Sequence, residues 1–415
     1  MPPATPARRR PLVVSLPRAE KATRATGYNP PALNVAQRSS LLGFSDIVKI
    51  RNRVLDMRSR GQRVIQLEGG EPFMPTPDFV KEAIKAAVDA NHTRYAASSG
   101  IPELLEALQA KLARKNGLTV ALDQLIVTAG GAHGLFCAFQ ASVNPGDDVM
   151  FFAPYWTPIK DQVSFSGGNP VRVPWDEVRK RGDLRKVLEA HRTEKTRVIY
   201  VNTPANPTGD VLTREQLQAV ADFAIAHDLT VIADEAYEDL LYDGEHVSIA
   251  SLPGMLERTI TVYTFSKSFS MTGWRIGYLV ADKPFMDFIR KLVLNSVNGV
   301  STPTQHAAVA AIMHSTAWFD PLREEYRRRR DLLVGAFNAA GFRCLTPPGA
   351  FYAFPDVRER LGQDSWKAME TLLERTSIAS VPGAVFGPEG EGHLRMSFSI
   401  AEKTLEEAVQ ALRTL

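Results

Sequence analysis

Lys267 lies in Thr264-Phe265-Ser266-Lys267-Ser268-Phe269-Ser270, directly after a β-rich run. A lysine set between hydroxyl residues at a strand end has the chemistry to form an imine with an aldehyde and, once displaced, to carry a proton. Partial burial beside other cations would lower its pKa, which suits both tasks. Taken alone, the pattern also describes a surface lysine. Asp234 closes the apolar run Thr230-Val231-Ile232-Ala233-Asp234 and is followed by Glu235-Ala236-Tyr237. If buried, its carboxylate needs a cation, and a protonated pyridine nitrogen would serve, keeping that ring an electron sink. The plainer alternative is an aspartate that caps a strand-to-helix turn.

Other residues of suitable type follow strand-like runs. Arg275, in Gly273-Trp274-Arg275-Ile276-Gly277, can join Ser266 and Ser268 in holding a phosphate dianion, or can simply brace a glycine-bounded turn. Gly130-Gly131-Ala132 opens a helical run, and free N–H groups at a helix start bind anions, although many strand–helix turns carry two glycines. Trp156, after Pro154-Tyr155, can stack on a flat ring or pack as an ordinary core indole. Asn206 is held between Pro204 and Pro207, so its amide has a defined direction and can donate to a phenolate oxygen, as can Tyr237. Arg395 alternates with Ser397 and Ser399 on one strand face. There it can clamp a carboxylate or stay solvated.

These positions require a particular scaffold. Candidate strands are Gln124–Thr128, Asp148–Phe152, Arg197–Asn202, Leu229–Asp234, Arg258–Thr264 and Ile276–Ala281, several of them continuous apolar runs suited to burial on both faces. Helical stretches alternate with them. One starts after Thr213, which has capping-box spacing to Gln216, with Leu217, Val220, Ala221 and Ala224 as its apolar stripe. The alternation predicts an α/β fold, a mostly parallel central sheet with helices on both faces, with ligands beyond the carboxyl ends of the strands. Helical patterns at 45–61 and 320–340, and shorter strands toward the end, predict a smaller α+β domain built from both chain ends, residues 31–60 and 320–415, around a large domain of residues 61–319.

The 415 residues are 44% apolar and 23% charged, with a formal net charge of +3, an ordinary globular balance that argues against nucleic acid or membrane as partner. Two cysteines, Cys137 and Cys344, make no disulfide framework, so a reducing, cytoplasmic compartment is expected. Residues 1–30 begin with a proline-broken, arginine-rich stretch that reads as a disordered or arm-like extension.

The order phosphate-type turn, aromatic, Asn loop, Asp, Lys, Arg, late Arg resembles the class I aminotransferases of the fold-type I pyridoxal-phosphate (PLP) enzymes, in the aspartate-aminotransferase-like branch. The similarity runs from about residue 35 to the end. Its most specific strings are Ser266-Lys267-Ser268-Phe269-Ser270-Met271-Thr272-Gly273-Trp274-Arg275, Asn206-Pro207-Thr208-Gly209, Asp234-Glu235-Ala236-Tyr237, and Tyr95 followed by Gly100-Ile101-Pro102-Glu103-Leu104. The resemblance implies pyridoxal 5'-phosphate as cofactor and Lys267 as its Schiff-base lysine and proton carrier in a ping-pong reaction. Asp234 would meet the pyridine nitrogen. Asn206 and Tyr237 would hold the ring oxygen, with Trp156 on the ring face. Ser266, Arg275 and the backbone at Gly131 and Ala132 would hold the phosphate. Arg395 and the Gly70 backbone would bind the substrate carboxylate, with Trp156 and Asn206 also at the substrate. Tyr95 would serve the neighbouring subunit of a homodimer with shared sites.

One departure bears on substrate. Relatives that favour acidic substrates often carry lysine where this chain has Ala132, and 295–302 holds no basic residue. The expected substrates are therefore a neutral, aromatic or aliphatic, L-amino acid and a 2-oxo acid such as 2-oxoglutarate. Phe73 and Phe44 are expected in an apolar wall, and a protonated His133 is the one candidate to replace the missing lysine. Aspartate transamination and a lyase reaction are the alternatives on this scaffold. A PLP-sensing regulator would need a DNA-binding domain ahead of the matched region, and the preceding stretch is short and proline-broken.

Overall fold

Seven strands form the central sheet, in the order Leu125–Thr128, Gly277–Val280, Thr259–Thr264, Thr230–Asp234, Thr196–Asn202, Asp148–Ala153, Asn169–Pro174. All neighbours pair in parallel except Gly277–Val280, which runs antiparallel to both strands beside it. Successive residues of these strands enter different cores. Val149, Phe151, Val198, Tyr200, Ile232 and Ile260 pack with Leu135 and Phe139 of the helix Gly131–Ser142. Met150, Ile199, Val201, Val231 and Ala233 pack with Leu217 and Val220 of the helix Arg214–Ala226. A period of two with both faces covered is what makes these strands continuous apolar runs. Thr213 caps its helix as its spacing implies: its side chain accepts from Gln216 N–H while the Gln216 side chain accepts from Thr213 N–H.

The computed structural model describes residues 35–415, so the expected N-terminal extension of residues 1–30 lies outside the described residues. Residues 40–415 form one compact unit, and of the N-terminal unit only residues 35–39 are described, all exposed. Beside the central sheet stand a parallel pair, Ile65–Gln66 with Ile378–Ala379, and an antiparallel sheet of Val381–Pro382, Leu394–Ser397 and Tyr352–Ala353. The helix Asp46–Ser59 buries Ile50 against Val381 and Phe386, and Val54 against Leu373 and Ala379. Residues near the start of the chain thus pack on its last part. The helix expected from Asp320 begins at Ser315 and contains Pro321. Asp320-Pro321 mimics a helix start because proline suits a first turn. No helix of the described residues is long and apolar enough to cross a membrane.

Candidate active site

The carboxyl ends of neighbouring strands converge on one cavity of about 290 Å³. Register aligns them: Asn202 lies beside Asp234, and both Thr128 and Thr264 lie beside Gly277. Gly70, Gly131, Ala132, Trp156, Asn206, Asp234, Tyr237, Ser266, Lys267, Arg275 and Arg395 all line it.

Lys267 sits on the single helical turn Phe265–Ser268, started by the Thr264 side chain accepting from Ser266 N–H. Its Nζ donates to Gly70 O at 2.7 Å and lies 5.7 Å from the Phe351 ring centre. Burial, with Arg395 and Arg275 nearby, lowers its pKa to about 8, against an opposing pull from Glu71 and Asp234. At neutral pH such an amine gives up its proton far more readily than a solvated lysine does.

Asp234 is buried, and no cation among the described residues reaches it at ion-pair distance. Tyr200 OH donates to Oδ2 at 2.7 Å and Ala236 N–H to Oδ1 at 3.2 Å, so a capping bond does exist. Burial raises its pKa to about 6 despite both bonds. Tyr237 OH and Tyr352 OH are 2.9 Å apart, both buried. Asn206 Oδ1 accepts from Arg395 Nη1 at 3.1 Å, which leaves the NH2 end of that amide unengaged by Arg395. Arg395 is 3% exposed, donates from Nη2 to Glu68 O at 2.9 Å, and lies 4.5 Å from the Tyr352 ring centre. Its Nε is buried without a partner, and among the described residues no carboxylate stands within ion-pair distance. A buried guanidinium with an idle N–H is a matched seat for a carboxylate.

The opposite end suits a dianion. Gly130 caps the helix Gly131–Ser142 with φ 81°, and a Cβ there would lie 2.6 Å from Arg275 Nη2. Only glycine lets that guanidinium close on the helix start. Arg275, itself at φ 55°, donates to Thr272 O at 2.7 Å and has no acidic partner among the described residues. Thr264 Oγ1 donates to Ser266 Oγ at 2.9 Å, which frees the Ser266 proton for a ligand. Helix N–H groups, a hydroxyl and a guanidinium therefore line the same cavity.

Not every expected residue is here. Tyr95 is 91% exposed and borders a separate surface hollow with Asn298 and Thr302. Phe44 is exposed, and Phe73 packs on Tyr326 and under the Arg329 guanidinium, so neither belongs to the cavity wall. His133 points away: Nδ1 accepts from Ala129 N–H, Nε2 meets Ser296 Oγ, and burial lowers its pKa. It is a neutral ring and no substitute for a lysine. Sequence reasoning missed Tyr352, Tyr200 and Ile47, the first two touching the site's key groups and the third lining its wall. Ala350-Phe351-Tyr352-Ala353-Phe354, after Pro347-Pro348-Gly349, carried a strand signal that could have pointed to Tyr352.

Residues 62–412 match the family described as aminotransferase class I and II. The chain is 39% identical to the aspartate/prephenate aminotransferase of Thermus thermophilus, over 91% of this chain and 97% of that protein. It is 36% identical to aromatic-amino-acid aminotransferase 2 of Thermococcus litoralis, over 91% of this chain and 97% of the relative. A Thermus thermophilus aspartate aminotransferase tetra mutant complexed with tryptophan superimposes with a TM-score of 0.87, at 38% identity, covering 92% of this chain and all of that one. The Thermus thermophilus enzyme with maleate gives 0.86 at 37% identity, covering 92% and 99%.

Proposed function

The chain belongs to the class I and II aminotransferases, and from that premise we propose that it moves an amino group from a neutral, aromatic or aliphatic, L-amino acid to a 2-oxo acid, with Lys267 as the residue that binds the cofactor and carries the proton. It is a PLP-dependent aminotransferase of the aspartate/aromatic subfamily. PLP supplies an aldehyde that condenses with amines and a ring that takes up electron density.

The cavity suits that cofactor. In this reading the phosphate rests on the Gly131–Ala132 helix start with Ser266 and Arg275, and Tyr95 of a second copy of the chain completes its shell. Trp156 covers the ring face. The Asp234 carboxylate holds a proton on the pyridine nitrogen, gaining the cation it lacks. Tyr237 and the Asn206 amide donate to the ring oxygen. Arg395 and the Gly70 backbone bind the substrate carboxylate, which orients the Cα–H toward Lys267. Freed from the cofactor, the Lys267 amine takes that proton and returns one. A pKa near 8 leaves it basic enough to accept the proton and ready to release it.

One observation carries the preference for neutral substrates. Among the described residues, the only cations lining the cavity are Lys267, Arg275 and Arg395. The first two serve the cofactor and the third takes the common carboxylate, so a second carboxylate meets Ala132 and a neutral, averted His133. The same reasoning favours a monocarboxylic acceptor over 2-oxoglutarate. The scaffold accommodates both classes in relatives, having been captured with maleate and, after four substitutions, with tryptophan. Steady-state kinetics with phenylalanine, leucine, alanine and aspartate test the reading. A missing charged contact of ~2–3 kcal/mol predicts a kcat/KM about 30- to 200-fold higher for the best neutral donor than for aspartate. Ala132→Lys should narrow that gap. Aspartate as best donor by tenfold would instead support the second reading, which rests on the names of the aspartate relatives.

A further inference from the structure

Behind the Lys267 turn lies a second cavity of about 280 Å³, nearly as large as the first. One side is aromatic. Phe265 and Phe269 have ring centres 5.7 Å apart, and Phe269 and Phe319 5.1 Å. The other side is charged and almost fully paired. Lys111 Nζ donates to Glu238 at 2.5 Å, Lys115 pairs with Asp239, and Arg323 pairs with Asp320. Arg114 is the exception: among the described residues its guanidinium has no ion pair and no hydrogen bond. It stands on a π-helical stretch, Leu112–Asn116, that closes on Gly117 at φ 67°. Widened turns of this kind are frequent at functional sites.

We propose that this cavity is an effector site for a small aromatic monocarboxylate, held by Arg114 and lowering turnover when occupied. One uncommitted guanidinium matches one carboxylate, and three clustered phenyl rings match a flat apolar body. A polyanion would find no second free cation among the described residues of this cavity. A cationic ligand would meet acids that lysines already neutralise.

The cavity's walls connect it to the chemistry. Phe265, Ser268 and Phe269 belong to the turn that carries Lys267, and Ser268 Oγ donates to Asp239 Oδ2 at 2.5 Å. Phe319 and Arg323 belong to the helix Ser315–Ala339. That helix also carries Tyr326, whose hydroxyl meets Ser399 Oγ at 2.9 Å, and Ser399 Oγ donates to Glu71 O at 2.8 Å. Glu71 adjoins Gly70, the carbonyl that receives Lys267. An occupant therefore presses on the lysine's turn and on the segment facing it, and it stiffens an amine that must move during each cycle. Coupling of this kind acts on kcat and leaves substrate access open.

The test is calorimetric titration of the PLP-loaded enzyme with phenylacetate, which has neither an amino nor an oxo group to react. Wild type should bind two equivalents per chain, one at Arg395 and one here. Arg114→Ala, an exposed change outside the active site, should keep basal turnover, keep the first equivalent and weaken the second at least about tenfold. Phenylacetate should depress kcat in wild type and act purely competitively in Arg114→Ala. A single equivalent in wild type, a second equivalent indifferent to Arg114→Ala, or a kcat effect that survives the substitution would each overturn the proposal. Loss of the first equivalent in Arg395→Leu reports separately on the active-site assignment.

Discussion

Asp234 is a buried carboxylate for which the described residues provide no cation at ion-pair distance. Its pKa rises from an ordinary 3.8 to about 6 because burial penalises the charge. A raised carboxyl pKa means the folded cofactor-free protein binds that proton more tightly than the unfolded chain. The resulting stabilisation is present at low pH and is lost as pH rises through about 6. At pH 7 the cost is about 2–3 kcal/mol, at roughly 1.36 kcal/mol per unit. Asp234→Asn should therefore raise the urea midpoint of the cofactor-free protein at pH 7, with no gain below about pH 4. The same variant, once loaded with PLP, should turn over about 10³-fold more slowly or worse. Equal stability at pH 7 would show that the carboxylate finds compensation elsewhere. Lys267 gives a second titration. Its reaction with PLP should follow an ionisation near pH 8, and Arg395→Leu should move that midpoint upward by removing the cation that lowers it most. Stopped-flow absorbance against pH reads both. The positions of Lys267 and Asp234 were legible from the sequence because one follows a strand and the other closes one. Tyr200 and Tyr352 were not, since their roles depend on which strands become neighbours.

At the scale of elements, the loop after the Asp234 strand is fixed from below by a buried polar network. Lys111 Nζ donates to Glu238 at 2.5 Å and to Tyr278 OH at 2.9 Å, and Asn116 Nδ2 donates to Glu238 at 2.9 Å. His246 Nε2 and Ser248 Oγ meet Glu235 at 3.0 and 2.6 Å. Burial would raise the Glu238 pKa, but Lys111 and Lys115 outweigh it and hold the carboxyl below its usual range. Removing Glu238 leaves the buried Lys111 charge with the neutral Tyr278 hydroxyl in place of a carboxylate partner. Glu238→Leu should cost roughly 3–5 kcal/mol in urea unfolding, and Lys111→Met in the same chain should recover most of it. Additive losses in the double variant would show that the two do not act as a pair. This network was invisible in the sequence, since Lys111 and Glu238 are 127 positions apart. The six expected strands match because a doubly covered strand is apolar throughout, whereas Asn169–Pro174, an edge strand with two prolines, lacks that signature.

Tyr95, expected to serve the site of a neighbouring subunit, lies outside this chain's own cavity. In a single chain it is 91% exposed, so its proposed role needs a second copy. Tyr95→Ala and Lys267→Ala should each abolish most activity. Mixing and reassociating the two should restore up to about a quarter of wild-type activity, from hybrids with one intact site. No recovery, together with sedimentation as an active monomer, would remove Tyr95 from the site.

The turn that carries Lys267 is a partition between two chambers. Ser266 and Lys267 face the first, Phe265, Ser268 and Phe269 face the second, and Thr264 alone borders both. Substitutions at 265, 268 and 269 therefore reshape one chamber while Ser266 and Lys267 in the other keep their identity. A lineage has room here to change what the hidden chamber admits without first rebuilding its chemistry, and Thr264 is the position where both histories must agree.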